Sequence, residues 1–253
     1  MSHARGDGIT RLPAPPLLRR DQALFLDFDG TLVAIAPAPD LVRVAPELPD
    51  LLQALSAMLD QAIALVSGRT VDDLARRIAP FSGVLAGQHG LERRSLDGAV
   101  ARSAADPALA PIRHEFTRFA ARHDGVTLED KGAGLALHYR QAPGLASACK
   151  TLVQRAAEAS GGAFTFIGGK MVAELTPRRG GKGRAIAAFL AEAPFRGRMP
   201  VFVGDDTTDE DGFTVVNNLG GASVHVGEGA TAARYGLAAV GDVHAWLARS
   251  LGR

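Results

Sequence analysis

Asp27 and Asp29 stand two apart at the end of the apolar run LFLDF and are followed by Gly30 and Thr31. A carboxylate placed directly after such a run is costly to bury unless a cation meets it; a solvated Asp-Gly turn is the alternative. In an extended strand the two side chains would point to opposite faces, so a turn at Gly30 is needed to bring both groups to one pocket. A second acidic group follows the run PVFV, where Asp205, Asp206, Asp209, Glu210 and Asp211 put five acids in seven residues. Such crowding repels itself unless a metal or a basic group compensates, and an all-oxygen donor set favours magnesium over zinc. A calcium loop fits less well, because the spacing departs from the EF-hand pattern and lacks its closing bidentate Glu. A solvated acidic helix start is the third reading. Magnesium beside crowded carboxylates suits phosphoryl transfer, in which a carboxylate attacks phosphorus while the ion and fixed donors neutralise the equatorial oxygens. Ser67 and Gly68 supply a hydroxyl and a flexible amide, and Lys182, in RRGGKGRA, supplies a cation. Neither SGR nor a Lys after two glycines is informative alone; the recurrence of such groups after apolar runs carries the reading.

These groups need strands that end together. The run at 23–28, a helix over 46–59 with Leu48, Leu51, Leu52, Leu55, Met58 and Leu59 as its apolar stripe, and the run AIALVSGRT predict strand, helix, strand in a parallel sheet. VDDLARRIA predicts a further helix, and GVLAGQHGLERR a third strand with a glycine-rich exit. Between Pro107 and Pro177 the pattern changes to a helix at 111–122, strands at 126–130 and 134–139, a helix at 144–159, and strands at 163–167 and 171–175 joined by Gly168 and Gly169. Two αββ units predict a small inserted α+β module with a largely antiparallel sheet. The parallel pattern then resumes with a helix at 183–192, the strand MPVFVGDD, a helix at 210–217, the strand ASVHVG and a closing helix at 242–251. The expected organisation is an N-terminal arm (1–20), an α/β core from 21–106 and 178–253, and an insert at 107–177 with hinges near Ala105 and Arg178.

The chain has 253 residues, with 28 Lys plus Arg against 27 Asp plus Glu, 47% hydrophobic residues and one cysteine, Cys149. That balance excludes a basic field for nucleic acid and an acidic tail, and the cysteine count excludes an internal disulfide or a Cys-rich zinc site. The cluster Arg178, Arg179, Lys182 and Arg184 leads into the predicted site helix at 183–192 rather than an exposed recognition helix. No apolar run is long enough to span a bilayer. Pro13, Pro15 and Pro16 break the first twenty residues, which read as a loose arm rather than a signal peptide, so the cytoplasm is the expected location. A full P-loop, a GxSxG elbow, an HExxH motif and a dinucleotide fingerprint are all missing, which counts against that type of ATPase, acyl hydrolysis, metalloprotease chemistry and nicotinamide redox chemistry.

Taken in order, DFDGTL from Asp27, SGR at 67–69, Lys182 and GDDTTDED resemble the four motif blocks of the haloacid dehalogenase superfamily phosphatases. More narrowly, GQHG followed by Glu92, EDKGAGLALHYR, GKMVAELTPRRGGKG and VGDDTTDEDGF resemble the trehalose-6-phosphate phosphatases from about residue 21 to 245. Thr70 stands where relatives often carry Pro, a departure that touches loop stiffness more than chemistry.

The resemblance implies a HAD-like Rossmannoid core with a parallel sheet and a cap made by the insert. It implies Mg2+-dependent hydrolysis of trehalose 6-phosphate through an aspartyl-phosphate, with Asp27 as nucleophile, Asp29 as acid and base, and Ser67 and Lys182 on the phosphoryl oxygens. Asp27, the Asp29 carbonyl and Asp205 would hold the ion, supported by Asp206 and Asp209. Thr31, Gly68, Arg69, Gln88, His89, Gly90 and Glu92 from the core, and Lys131, His138, Arg140, Lys170 and Glu174 from the cap, are the substrate-binding candidates. A polyol needs such a ring because each hydroxyl must be matched once water is excluded. His114, His123, His225 and His244 are read as ordinary residues. The implied protein is a stand-alone monomer supplied by a separate trehalose-6-phosphate synthase. The rival readings are the same fold acting on sucrose 6-phosphate or mannosyl-3-phosphoglycerate, and a non-catalytic sugar-phosphate-binding protein.

Overall fold

The computed structural model describes residues 12–37, 39–104, 106–169 and 171–252. Its central strand, β1 (Gln22–Leu26), is buried at every position, as expected of a strand covered on both faces. The chain then passes through α1 (Leu48–Met58), β2 (Ile63–Val66), α2 (Val71–Arg77) and β3 (Val84–Gly87). It returns after the insert through α5 (Lys182–Leu190), β10 (Met199–Gly204), α6 (Glu210–Asn218), β11 (Ala222–Val226), β12 (Tyr235–Leu237) and α7 (Val240–Ser250). The sheet order is β12-β11-β10-β1-β2-β3, all parallel, with β4 (Glu92–Arg94) and β5 (Val100–Arg102) added antiparallel. From β1 the chain moves one way along the sheet and from β10 the other, so right-handed crossovers put α1 and α6 on opposite faces. The reversal point lies between β1 and β10, and a crevice opens beyond their carboxyl ends.

The stripe read on α1 is the one that packs: Leu48, Leu51, Leu52 and Leu55 are buried. Phe25 of β1 stacks with Phe195 at 5.3 Å and Phe189 at 6.2 Å between ring centroids, tying α5 to the sheet. Two expectations change. The segment read as one third strand is β3 followed by a reversal, because Gln88, His89 and Gly90 all take positive φ (49°, 54° and 92°) and turn the chain back into β4. Residues 12–18, expected to be part of a loose arm, are seated against the C-terminal elements. Pro13 and Pro16 offer carbonyls to Gly236 N–H at 3.0 Å and Trp246 Nε1–H at 2.9 Å, Leu18 N–H donates to Ser250 Oγ at 3.1 Å, and Leu18 is buried. Proline lacks an amide donor but keeps its carbonyl, so a Pro-rich strand can dock by accepting. The hinge position Ala105 lies outside the described residues, as does the stretch 1–11.

The insert comprises α3 (Leu109–Ala120), β6 (Thr127–Asp130), β7 (Leu135–His138), α4 (Ala146–Ala159), β8 (Phe164–Gly169) and β9 (Val172–Pro177). Its antiparallel sheet, in the order β6-β7-β9-β8, has its own apolar cluster, including Phe116, Leu135, Leu137, Val153, Phe164 and Leu175. The pleat and register place Leu128, Leu137, Ala173 and Leu175 toward the helices, and Thr127, Glu129, Ala136, His138, Val172, Glu174 and Ile167 on the opposite face. No helix among the described residues is long and apolar enough to cross a membrane.

Trp246→Phe should keep the packing and lose the bond to Pro16, lowering stability by about 1 kcal/mol. Urea unfolding measures that loss, and an unchanged midpoint would mean that the 12–18 segment is not held there.

Candidate active site

Asp27 follows β1 immediately, and its backbone N–H donates to Val203 of β10 at 2.9 Å. Its carboxylate accepts from Lys182 Nζ at 2.7 Å, and the same ammonium reaches Asp209 Oδ1 at 2.6 Å. All three side chains are buried. The other oxygen of Asp209 accepts the backbone N–H groups of Asp205 and Asp206, both at 3.0 Å, so the acidic loop is wrapped around that carboxylate. Asp206 begins the following turn, accepting from Thr207 N–H at 2.8 Å. Burial pushes the Asp27 carboxyl well above the usual range; Lys182 pulls it back, and Asp209 and Asp205 push it up further. Burial also disfavours the Lys182 ammonium, but Asp209 and Asp27 outweigh it and hold its pKa well above the usual lysine value.

One ammonium faces three carboxylates in this corner. Asp27, Asp205 and Asp209 each offer an oxygen, and these atoms lie within 4.8 Å of one another. The excess negative charge and the all-oxygen set fit a divalent cation. Gly30 is part of that fit: it takes φ of 87°, and a Cβ there would collide with the Asp205 carboxylate.

Ser67 and Arg69 enter from the end of β2. Ser67 is buried, its Oγ accepting from Arg69 N–H at 3.2 Å. The Arg69 guanidinium grips Asp29 with two nitrogens, Nε at 2.6 Å and Nη2 at 2.8 Å, and its Nη1 reaches Asp73 at 2.7 Å. Both aspartates of the first motif, Ser67, Gly68, Arg69, His89, Lys182, Asp205 and Asp206 line one cavity of about 850 Å³. The insert closes its far side with Lys131, His138, Arg140 and Glu174.

Four expected substrate contacts are absent from the cavity lining. Gln88 Nε2 donates to Glu92 at 2.8 Å, and Glu92 accepts the Val71 N–H at the start of α2 at 2.7 Å, so this pair fastens α2 to the reversal after β3. At Gly90 an added Cβ would press on Ala185 of α5 at 2.8 Å, and the neighbouring His89 carbonyl accepts Gly181 N–H at 2.8 Å. Thr31 is fully buried and its hydroxyl has no hydrogen-bond partner among the described residues. Lys170 lies outside the described residues.

Across the cavity, Glu174 accepts from Lys131 Nζ at 2.9 Å and lies 3.6 Å from His89 Nε2, so this carboxylate connects the two sheets' loops. Burial would raise its pKa, but Lys131 and His89 outweigh burial and keep the group well below the usual carboxylate range. His138 Nε2 pairs with Glu129 at 2.8 Å. Glu129 and Thr127 line the cavity, and neither was among the sequence candidates. Strand alternation was the available signal: Thr127, Glu129 and His138 fall on one face once β6 pairs with β7.

A family model described as trehalose-phosphatase matches residues 25–239. The trehalose-6-phosphate phosphatase of Escherichia coli strain K12 is 46% identical over 237 residues, covering 93% of this chain and 89% of that protein. Among solved structures, the C-terminal domain of the C. albicans trehalose-6-phosphate phosphatase superposes with a TM-score of 0.81 at 22% identity, covering 95% of this chain and 98% of that one. A haloacid dehalogenase-like hydrolase from Bacteroides thetaiotaomicron superposes with a TM-score of 0.66 at 16% identity, covering 90% and 98%. These two likenesses establish a HAD-like Rossmannoid core with an added antiparallel sheet. Matched by the family model over most of its length and close to half identical to one relative, the chain belongs to the trehalose-phosphatase family.

Proposed function

We propose that this chain converts trehalose 6-phosphate to trehalose and inorganic phosphate through an aspartyl-phosphate on Asp27. The observation that carries the chemistry is the buried Lys182 ammonium, which fixes Asp27 at 2.7 Å on the floor of a cavity roofed by polar side chains of the insert. In the first step an Asp27 oxygen bonds to phosphorus, the bond from phosphorus to the sugar oxygen breaks, and Asp29, having left the Arg69 fork and taken a proton from solvent, gives that proton to the leaving oxygen. In the second, a water oxygen attacks phosphorus while Asp29 takes a proton from that water, and the Asp27–phosphorus bond breaks to free inorganic phosphate. Ser67 and Lys182 neutralise phosphoryl oxygens, and the two-nitrogen edge of Arg69 suits a bidentate contact with them. An arriving phosphoryl group competes with Asp29 for that edge and so releases Asp29 for proton transfer.

Asp27, Asp205 and the Asp29 backbone carbonyl are the groups that would hold Mg2+, with Asp206 and Asp209 ordering the loop behind them. The bound ion would offset the surplus negative charge and polarise the phosphoryl group. Residues 21–106 and 178–253 then form the catalytic unit and 107–177 the cap. On the cap face, Glu129, Lys131, His138, Arg140 and Glu174 present both donors and acceptors. That mixture fits a disaccharide, whose hydroxyls each need a partner once water is excluded.

Asp27→Asn should reduce phosphate release from trehalose 6-phosphate to background while the circular dichroism spectrum stays that of the parent; retained turnover would overturn the mechanism. Chelation should stop turnover and added Mg2+ should restore it, and activity persisting in the chelator would remove the metal from the scheme. Glu129→Ala, at a partly exposed position, should lower the preference in kcat/KM for trehalose 6-phosphate over glucose 6-phosphate by about 10-fold. Parallel initial rates on the two substrates decide it, and an unchanged ratio would take the cap face out of sugar recognition.

A further inference from the structure

Asp73, in the first turn of α2, takes no part in the chemistry above, yet it gathers three guanidinium groups. Arg69 Nη1 lies at 2.7 Å, Arg77 Nε at 2.8 Å and Arg76 Nη2 at 2.5 Å from its oxygens. An ordinary first-turn aspartate faces solvent and offsets the partial charge of the helix end. Asp73 is instead 19% exposed, and its backbone N–H is already capped by Thr70 Oγ1 at 3.2 Å. Burial would raise its carboxyl, but Arg77, Arg69 and Arg76 outweigh that and hold it at about 2, so it stands as a fixed anion.

Arg69 is shared between two carboxylates. Its Nη1 goes to Asp73, while its Nε and Nη2 make the fork on Asp29 at 2.6 and 2.8 Å. The Phe28 ring lies 5.7 Å from the guanidinium carbon and limits tilting on one side. A guanidinium is rigid and planar, so holding its far amino group while the stem is anchored sets the direction of the remaining edge.

We propose that Asp73 is a positioning residue for phosphate recognition: it holds Arg69 by Nη1 so that the Nε–Nη2 edge faces the point where the phosphoryl oxygens arrive. Arg76 and Arg77 hold Asp73 in turn, so the aim of the fork is set from α2 rather than from the loop that carries Arg69. This inference rests on the reading of Arg69 as a phosphate contact and adds the residue that aims it.

The test is a double-mutant cycle of Asp73→Asn and Arg69→Ala. It is read as kcat/KM on trehalose 6-phosphate with Mg2+ and, separately, as equilibrium affinity for inorganic phosphate, so a variant without turnover still gives a result. Asp73→Asn should lower both by about 10-fold or more when Arg69 is present and by less than about 2-fold when it is Ala. Asp73→Glu keeps the charge on a longer arm and should lose less than Asn; it carries the same comparison if the Asn variant does not fold. Equal losses in the two Arg69 backgrounds would overturn the proposal, as would an equal loss in Thr70→Ala, which weakens the helix cap without touching the guanidinium groups. If Arg69→Ala changes neither readout, the phosphate role of Arg69 itself fails. If Arg69→Ala is damaging and Asp73→Asn is silent, only the positioning role fails.

Discussion

The buried ammonium of Lys182 is the constraint around which the rest is arranged. It is the first residue of α5, a place where the helix's own partial charge disfavours a cation, and it is 3% exposed. Its position therefore comes from the carboxylates of Asp27, just after β1, and Asp209, in the turn between β10 and α6. Removing one partner of such a buried pair costs about 3 to 5 kcal/mol because a charge is left uncompensated. The reversal point of the sheet is where these demands can be met together: two parallel strands end side by side, and the start of a helix lies within reach of both.

Much of this arrangement was legible because the polar groups of the candidate site sit directly after apolar runs. Asp27, Ser67 and the 205–209 loop each follow a strand whose burial is plain from composition, and the two αββ units showed in the alternation of the insert. Residues whose role depends on how the fold aims a partner side chain were not legible. Asp73 reads as a helix-start acid until Arg69 is seen beside it, and Glu129 lies within the strand read at 126–130, which shows the face it shares with His138 only once β6 is paired with β7. Gln88 and Glu92 run in the other direction. The family resemblance implied substrate contact, whereas in this structure Glu92 accepts the Val71 N–H and Gln88 donates to Glu92, and neither lines the cavity. Periodicity reports which face of an element is buried; it carries no information about which polar group lies across a gap of tens of residues. The docking of 12–18 is invisible for the same reason, since a run of prolines has no pattern that names the donors its carbonyls will meet.

The cap face joins two kinds of interaction. Its apolar side has a self-sufficient cluster, so the polar side is free to be shaped by function. There Glu174 links Lys131 of the insert and His89 of the core. A single carboxylate is thus shared by the reversal after β3 and by the cap sheet, so a polar contact spans the two.

The fork that Asp29 makes with Arg69 has one more consequence. A carboxylate tethered to the same chain faces that guanidinium at an effective concentration on the order of millimolar or higher. In the resting enzyme it acts as a built-in competitor for every free anion. Inorganic phosphate has only its own charge with which to displace it, whereas a sugar phosphate brings the binding energy of its hydroxyls. With Arg69 as the proposed phosphate contact, this competition weakens free phosphate and sugar phosphate alike, and only the sugar phosphate has hydroxyl contacts with which to make up the loss.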